Sequence, residues 1–345
     1  MVKLAIVGYG DLASSVYGPA IRSLEPNVEL AAVVEPDPSR RQQASENLPG
    51  VPCLASIETL ISDATPEGIL IATPPTTHAD LAEVAFDAGL AVYVEKPLAA
   101  SESDGQRILE AWRRAGTPGM VGFNYRFNPV VEQLRASLAD SEFGRPVAVR
   151  TSFSLATSTL PPWKQIRKRG GGALLDLASH HIDLVSFIFA SEIVRVGCRI
   201  WSQKSEDDNA MLTLELDSGV NVQTFVSLTT AEEDRIEVFG ESGKLLYDRY
   251  FSERLERTGR SSRQVRTQLL INRINSFLPG PGFREKLRAP LREASFPRAL
   301  RRFVDAVEDG ESQSPTIEDG WRCLQVVLAA ERADQEGRIV EVNYG

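Results

Sequence analysis

Short apolar segments alternate with helix-length segments through the first 120 residues, and this alternation constrains the fold more than any other feature. The apolar segments, typical of buried strands, lie at residues 3–7, 28–34, 68–72, 91–94 and 120–122. Helical patterns lie between them, at residues 11–24, 78–88 and 101–115. Short strands separated by helices of about 10–15 residues are typical of a doubly wound parallel sheet with right-handed crossovers. The alternation therefore predicts an α/β domain over residues 1–123.

The pattern changes after residue 123. Strands of alternating polarity follow one another at residues 146–156, 194–201, 210–216, 220–228 and 235–239. Consecutive strands with short turns between them favour an antiparallel sheet. Helices are predicted at 174–189, 297–308 and 318–335, and a last strand at 339–342. Residues 124–345 are thus predicted to form an α+β domain with a largely antiparallel sheet.

Composition narrows the range of functions. The chain has 345 residues, 42% of them hydrophobic, and a formal net charge of −9, which fits a globular protein and disfavours general nucleic-acid binding. The three cysteines, Cys53, Cys198 and Cys323, are scattered, which predicts buried thiols in a reducing compartment. No signal-peptide pattern is present, and the apolar stretches are too short to cross a bilayer. A cytoplasmic protein without a transmembrane segment is therefore predicted.

A glycine-rich loop directly follows the first apolar segment. It reads G-x-G-x-x-A and comprises Gly8, Gly10, Asp11, Leu12 and Ala13 around Tyr9. Gly8 allows a tight turn, Gly10 lets the backbone approach a pyrophosphate, and Ala13 takes the place of the third glycine. The start of the following helix offers N–H groups to phosphate oxygens. The loop therefore predicts a dinucleotide-binding site.

A carboxylate at the end of the second apolar segment bears on the choice of dinucleotide. Glu35 lies where an acid that binds the adenosine ribose is expected, and its charge repels a 2′-phosphate. Arg40 and Arg41 lie close by, and an arginine there can neutralise such a phosphate. NAD is therefore the predicted cofactor, with NADP left open.

Asp176 and His180 form a predicted proton-transfer pair, and Lys96 is predicted to lie near the nicotinamide, with a solvated charge as the alternative for this lysine. Lys96 follows the strand at 91–94, at the carboxyl end where parallel sheets bind ligands. Asp176 and His180 follow a run of three glycines at 170–172, and they share one face if this stretch is helical. A carboxylate beside an imidazole is suited to proton transfer.

The adjacent His181 does not extend this group into a metal site. On a helix it points about 100° away from His180, so it is predicted to pack or to line a rim. The i, i+4 arrangement of the HExxH motif is absent from the sequence. No metal ligand is therefore predicted.

Together these motifs resemble the glucose–fructose oxidoreductase/inositol dehydrogenase family, often written Gfo/Idh/MocA. The resemblance rests on the glycine loop, Thr73-Pro74-Pro75 with His78, Glu95-Lys96-Pro97, and GGGALLDLASHHIDL at residues 170–184. It covers most of the chain and is thinnest from 252 to 293. It implies a Rossmann domain and an α+β domain whose open sheet mediates oligomerisation, so a homodimer or homotetramer is expected.

The resemblance also implies roles for individual residues. Lys96, Asp176 and His180 are the implied catalytic residues, and whether Lys96 or His180 accepts the proton is left open. The implied cofactor contacts beyond the glycine loop and Glu35 are Thr73, Pro74, His78, Glu95 and Lys96. The implied substrate contacts are Asn124, Arg126, Trp163 and Asp183, with Lys164 beside Trp163. Structural roles are the alternatives for His78, Arg126, Trp163 and Asp183.

The implied activity is hydride transfer between NAD(P) and a secondary alcohol or ketone of a sugar, polyol or sugar nucleotide. Two alternatives stay open. One keeps NAD bound for a transient oxidation, as in glycoside hydrolysis or elimination, and the other is a non-catalytic NAD-binding sensor. The substrate and the direction of the reaction are not predicted.

One segment lies outside these assignments. Residues 252–293 contain ten Arg or Lys and four Glu, and Arg254, Arg257, Arg260, Arg263 and Arg266 recur at every third position. Any helix there would carry an arginine stripe. The open interpretations are a solvated insertion or a contact with an anionic ligand, a partner or a membrane surface, including a phosphorylated or nucleotide-linked sugar.

Overall fold

The computed structural model describes residues 1–140, 142–156, 160–250, 254–275, 280, 283–290 and 293–345. These residues fall into two compact units. The first comprises Met1–Asn124 and Glu285–Leu324, and the second comprises Tyr125–Arg284 and Gln325–Gly345. The boundary at residue 123 between two separate domains stays a prediction.

The first unit is built on a six-stranded parallel sheet. Its strands are β1 (Val2–Val7), β2 (Val28–Val34), β3 (Cys53–Leu54), β4 (Gly68–Ile71), β5 (Ala91–Val94) and β6 (Gly119–Val121). The strand order is β3-β2-β1-β4-β5-β6, and all neighbouring strands are parallel. This confirms the predicted doubly wound sheet. The two-residue strand β3 was not predicted, because so short a segment carries no periodic signal.

Helices follow the strands of this sheet. They are α1 (Gly18–Arg22), α2 (Pro38–Asn47), α3 (Ile57–Asp63), α4 (His78–Asp87) and α5 (Glu102–Ala115). A wider, π-helical turn at Ala13–Tyr17 precedes α1. Local capping explains where α5 begins and ends: the Ser101 hydroxyl accepts a hydrogen bond from the Asp104 N–H, and Gly116 adopts a left-handed conformation.

The second unit contains an eight-stranded sheet. Its strands are β7 (Pro146–Ala156), β8 (Ile193–Trp201), β9 (Asn209–Leu216), β10 (Asn221–Ser227), β11 (Thr229–Gly240), β12 (Gly243–Asp248), β13 (Glu256–Gly259) and β14 (Val340–Glu341). The order is β13-β12-β11-β7-β10-β9-β8-β14. All neighbouring pairs are antiparallel except β7 and β10, which are parallel. The largely antiparallel, open sheet is as predicted.

The second unit also contains the helices α6 (Pro129–Ala139), α7 (Ser179–Phe189) and α8 (Ser262–Asn275). A π-helical turn at Leu174–Ala178 leads into α7 and packs against β7 and β10. The predicted arginine stripe does not lie on one helix, because Arg257 lies in β13 while Arg263 and Arg266 lie in α8. The spacing of three continues across a strand and a turn, and within α8 it joins Arg263 and Arg266.

Three helices complete the described fold, namely α9 (Phe283–Arg288), α10 (Ser295–Asp309) and α11 (Ile317–Glu336). Helix α10 belongs to the first unit. Its Phe303 is fully buried and packs edge-on against Tyr93 of β5, and its Phe296 packs edge-on against Tyr17. Within the described ranges, no helix combines the length and the apolar character needed to cross a bilayer.

Candidate active site

The glycine loop after β1 has the geometry that a pyrophosphate needs. Gly8 has a φ of +93°, and a Cβ there would lie 2.6 Å from Thr73 Cγ2 and 2.9 Å from the Ala72 carbonyl oxygen. Only glycine fits this turn. At Gly10 the position of a Cβ has no described heavy atom within 4 Å. The loop therefore leaves open space beside its backbone, which is what a bound dinucleotide requires.

The residues after Gly10 begin the helical segment. Asp11 is exposed, Leu12 is half-buried and Ala13 is fully buried. The Ser14 N–H donates to the Gly10 carbonyl at 3.0 Å. The small Ala13 side chain packs inward, as the third position of the glycine pattern requires.

Glu35 joins the glycine loop to the end of β2. One carboxylate oxygen accepts the Tyr9 N–H at 2.8 Å, and the other accepts the Asp37 N–H at 3.0 Å. A carboxylate oxygen can accept more than one hydrogen bond, so both can still accept ribose hydroxyls. Arg41 donates to the carbonyls of Glu35 and Pro36, at 2.7 and 3.0 Å. These residues fit the adenosine end of NAD.

His78 connects the loops that follow β4 and β5. It is fully buried, with Nε2 2.9 Å from the Thr73 carbonyl oxygen and Nδ1 3.1 Å from the Leu98 carbonyl oxygen. Burial lowers the pKa of His78, while the contacts with the backbone carbonyls act against this shift. The ring braces the backbone around Thr73 and Pro74. Direct contact of these three residues with a cofactor stays a prediction.

Glu95 and Lys96 directly follow β5. The Glu95 carboxylate is buried and accepts hydrogen bonds from the Tyr17 hydroxyl and, at 3.0 Å, from the Lys96 N–H. A Cβ on Gly122 would lie 2.8 Å from a Glu95 oxygen, so the glycine there makes room for the carboxylate. Lys96 is half-buried at the carboxyl end of the sheet. Its position is the one predicted, and its contact with substrate or cofactor is untested.

The glycine run at 170–172 brings a lysine to Asp176. A Cβ on Gly171 would lie 2.2 Å from the Lys164 carbonyl oxygen, so only glycine lets this backbone pass so closely. The Lys164 ammonium then donates to both Asp176 carboxylate oxygens, at 3.0 and 2.8 Å. The Trp163 ring centroid lies 5.4 Å from the same ammonium. The run thus sets the position of a charged pair.

His180 lies on α7 in an aromatic environment. Its imidazole stacks on the Tyr125 ring, with centroids 4.4 Å apart and an interplanar angle of 21°. The Phe153 ring lies at 5.7 Å and is tilted. The Arg249 guanidinium lies 4.6 Å from the Tyr125 centroid. Packing against these rings therefore holds the His180 imidazole in one orientation, and its role in proton transfer stays a prediction.

His181 faces a different set of partners. It is fully buried, stacks on Phe153 at 5.4 Å, and places Nε2 3.1 Å from an Asp234 carboxylate oxygen. Arg249 donates to the other Asp234 oxygen at 2.6 Å. Burial acts to raise the pKa of Asp234, but the hydrogen bond from His181 and the charge of Arg249 lower it below the ordinary value. His181 packs, which is one of its two predicted roles.

Arg126 and Asp183, two predicted substrate contacts, pair with each other. The Arg126 Nε lies 3.1 and 2.9 Å from the two Asp183 oxygens, and Nη2 donates to one of them at 2.5 Å. Both side chains are buried. The Asn124 amide donates to the Ser295 hydroxyl at 2.8 Å. These contacts give the residues a structural role, and contact with a substrate stays a prediction.

Sequence reasoning missed several partners of the site. The pairing of Lys164 with Asp176, the stacking of Tyr125 on His180 and the contacts of Asp234 and Arg249 were not foreseen. These partners come from other strands and loops, so no spacing of residues in the sequence predicts them. In the described residues, no group of His, Cys, Asp and Glu is placed to hold a metal ion.

Two family descriptions match this sequence. One, "Oxidoreductase family, NAD-binding Rossmann fold", covers residues 2–123, and the other, "GFO/IDH/MocA C-terminal domain", covers residues 131–246. The fold and the glycine loop define an NAD(P)-dependent oxidoreductase with an NAD-binding Rossmann domain. The chain belongs to the Gfo/Idh/MocA family.

Characterised relatives match along nearly the whole chain. The scyllo-inositol 2-dehydrogenase (NAD(+)) of Bacillus subtilis is 24% identical over 351 residues, which cover 99% of this chain and 96% of the relative. D-xylose 1-dehydrogenase (NADP(+)) 2 of Haloferax volcanii is 26% identical over 348 residues, which cover 99% and 100%. The WlbA dehydrogenase of Bordetella pertussis, crystallised with NADH and UDP-GlcNAcA, shares the fold. Its TM-score is 0.83 at 20% identity, with 99% of this chain and 98% of that chain covered.

Proposed function

We propose that this protein transfers hydride between NAD and a secondary alcohol or ketone of a sugar, polyol or sugar nucleotide. The observation that carries this proposal is that Asp176 and His180, four positions apart behind the glycine run, are both buried in a chain that also has the NAD-binding loop. Two relatives are named as dehydrogenases of scyllo-inositol and of D-xylose, which supports a sugar or polyol as the substrate.

The proposed chemistry divides among four residues. Bound NAD+ supplies the hydride acceptor. His180 accepts the hydroxyl proton as the C–H hydride leaves, so the alcohol becomes a ketone and one proton goes to the imidazole. Asp176 stabilises the resulting imidazolium, while Lys164 holds the Asp176 carboxylate. Lys96 donates a hydrogen bond to the developing alkoxide.

The test is absorbance at 340 nm with a panel of sugars, polyols and nucleotide sugars. NADH that accumulates in proportion to the ketone formed supports net oxidation. Turnover without accumulated NADH would support a transient oxidation instead. An absence of turnover with every substrate, together with tight NAD binding, would support a sensor.

Variants test the assigned residues. Lys96→Met, Asp176→Asn and His180→Gln are each expected to lower kcat at least about 100-fold, the usual contribution of proton transfer and charge stabilisation. Their NAD affinity, measured by fluorescence titration, should change little. Lys164→Met should lower kcat, while the matched control Lys168→Met, an exposed lysine of the same loop, should not. Full activity of His180→Gln would refute the assignment.

We propose NAD as the preferred cofactor because of the Glu35 carboxylate. Glu35→Gln is expected to lower kcat/KM for NAD about 10-fold or more and to raise the relative use of NADP, since the charge that repels a 2′-phosphate is lost. Arg40→Gln is the control and should favour NAD further or leave the preference unchanged. A Glu35→Gln enzyme with unchanged preference would contradict this role.

We also propose a homodimer or homotetramer in the cytoplasm. The eight-stranded sheet supports the assembly, because Met211 of β9 and Ile339, directly before β14, are exposed beside a groove of about 670 Å³. Light scattering after size-exclusion chromatography should give two or four times the chain mass. A monomer at micromolar concentration would refute this part.

A further inference from the structure

Helix α8 presents apolar side chains to solvent. Leu269, Leu270, Ile271 and Ile274 are 51, 62, 42 and 59% exposed. The half-buried side of the helix carries Val265, Gln268 and Asn272 instead. The Asn272 amide donates to the Arg257 carbonyl in β13 at 3.0 Å, which holds this side against the sheet. A surface helix usually buries its apolar face, so α8 has the opposite arrangement.

The segment that contains this helix is strongly basic in an acidic chain. Residues 257–284 contain six arginines and no Asp or Glu, while the whole chain has a net charge of −9. Arg263 and Arg266 are exposed, and among the described residues neither forms an ion pair. The positive charge on this face is therefore available to an anionic partner.

Arginines and apolar side chains share one side of α8. Arg263, Arg266, Leu270 and Ile274 follow one another at spacings of three and four, which places them on one helix face. This face lies opposite Gln268 and Asn272. Its mixture of guanidinium groups and branched aliphatic chains fits a surface that carries negative charge on the outside and becomes apolar a few ångströms below.

We infer that α8 docks this protein onto an anionic membrane surface. Leu270, Ile271 and Ile274 enter the boundary between headgroups and acyl chains, while Arg263 and Arg266 bind lipid phosphates. The net negative charge of the rest of the protein is repelled by an anionic membrane. Electrostatic attraction to the membrane is therefore confined to the basic segment. An acidic protein surface would neutralise the arginines but would leave the apolar chains against charged groups.

Vesicle sedimentation of the full-length protein tests this inference. Phosphatidylcholine vesicles with and without phosphatidylglycerol are the probes, each at low and at high salt. Binding is expected only with phosphatidylglycerol and should weaken as salt rises, because exposed charges are screened. Equal binding to both vesicle types, or no binding to either, would overturn the inference.

Two double variants separate the contributions. Arg263→Gln/Arg266→Gln and Leu270→Ser/Ile274→Ser are each expected to lower the partition coefficient about 10-fold or more. Arg22→Gln/Arg114→Gln, two exposed arginines of the first unit, is the matched control and should bind like the wild type. Dehydrogenase turnover on a soluble substrate should be unchanged in all three, which keeps this test independent of the proposed activity.

A second copy of the chain is the competing occupant of α8. Light scattering of the same variants distinguishes it from a membrane. If Leu270→Ser/Ile274→Ser reduces the oligomer mass and leaves vesicle binding intact, α8 is an interface between copies and the inference is wrong. An unchanged mass with lost vesicle binding is the expected result.

Discussion

Asp183→Asn is expected to destabilise the second unit by about 3–5 kcal/mol, the range observed when one partner of a buried ion pair is removed. Asp183 and Arg126 are only 2% and 7% exposed. An asparagine amide keeps one acceptor oxygen but loses the charge and the contacts to the other oxygen. Each hydrogen bond to a charged group is worth about 1.5–3 kcal/mol. The loss of one or two therefore costs about 1.5–6 kcal/mol, which includes this range.

A double-mutant cycle tests this magnitude. Arg126→Met/Asp183→Asn removes both charges, so it is expected to cost less than the sum of Arg126→Met and Asp183→Asn. Urea unfolding followed by fluorescence and circular dichroism gives the free energies. The exposed pair of Arg195 and Glu215 in the second sheet is the control, and Glu215→Gln should shift the midpoint very little.

The same variant distinguishes a structural role from a substrate contact. If Asp183 holds Arg126, Asp183→Asn lowers the unfolding midpoint. KM then rises only at temperatures or denaturant concentrations at which the second unit begins to unfold. If Asp183 binds substrate instead, KM rises while the midpoint stays near the wild type. A loss of stability below about 1 kcal/mol would refute the reasoning from burial.

Three further outcomes are expected. Gly171→Ala should lower kcat as Lys164→Met does, because the new Cβ would lie 2.2 Å from the Lys164 carbonyl oxygen. The control Gly219→Ala adds a Cβ in open space and should not lower kcat. Equal effects of the two substitutions on kcat would contradict the close backbone passage at Gly171. The pKa of Asp234 is lower in the folded protein than the ordinary aspartate pKa of about 3.9. Its ionised carboxylate therefore stabilises the fold fully above that pH, and this stabilisation is lost as the pH falls towards the pKa of Asp234 in the folded state. Acid titration of the unfolding midpoint should therefore be less steep below pH ~4 in Asp234→Asn. Burial raises the pKa of Cys198 to about 12, so iodoacetamide at pH ~8 should label this thiol only after unfolding; rapid labelling of the native protein would show that it is accessible as a thiolate.

The sequence was sufficient to predict the parallel sheet and the nucleotide loop, because both depend on local patterns. Apolar runs of four to seven residues marked β1, β2, β4 and β5, and the spacing of Gly8 and Gly10 marked the turn. The helix at 174–189 was also predicted. Its first turn is π-helical over Leu174–Ala178, a geometry that hydrophobic spacing does not reveal.

The contacts around the candidate catalytic residues could not be predicted in this way. Lys164 reaches Asp176 only because Gly171 permits a close backbone passage, and Arg249 reaches Asp234 across neighbouring strands. Such pairs depend on the tertiary arrangement rather than on periodicity. The motif at 170–184 located the residues, and the folded chain supplied their partners.

Phe303 and Phe296 have a consequence for how this protein is made. A ribosome releases residues 285–324 only after residues 125–284, which belong to the second unit, yet Phe296 and Phe303 complete the packing around Tyr17 and Tyr93. The core of the first, nucleotide-binding unit therefore stays incomplete while the second unit is synthesised. A nascent chain that stops before residue 285 should expose this apolar surface and be a target for chaperones.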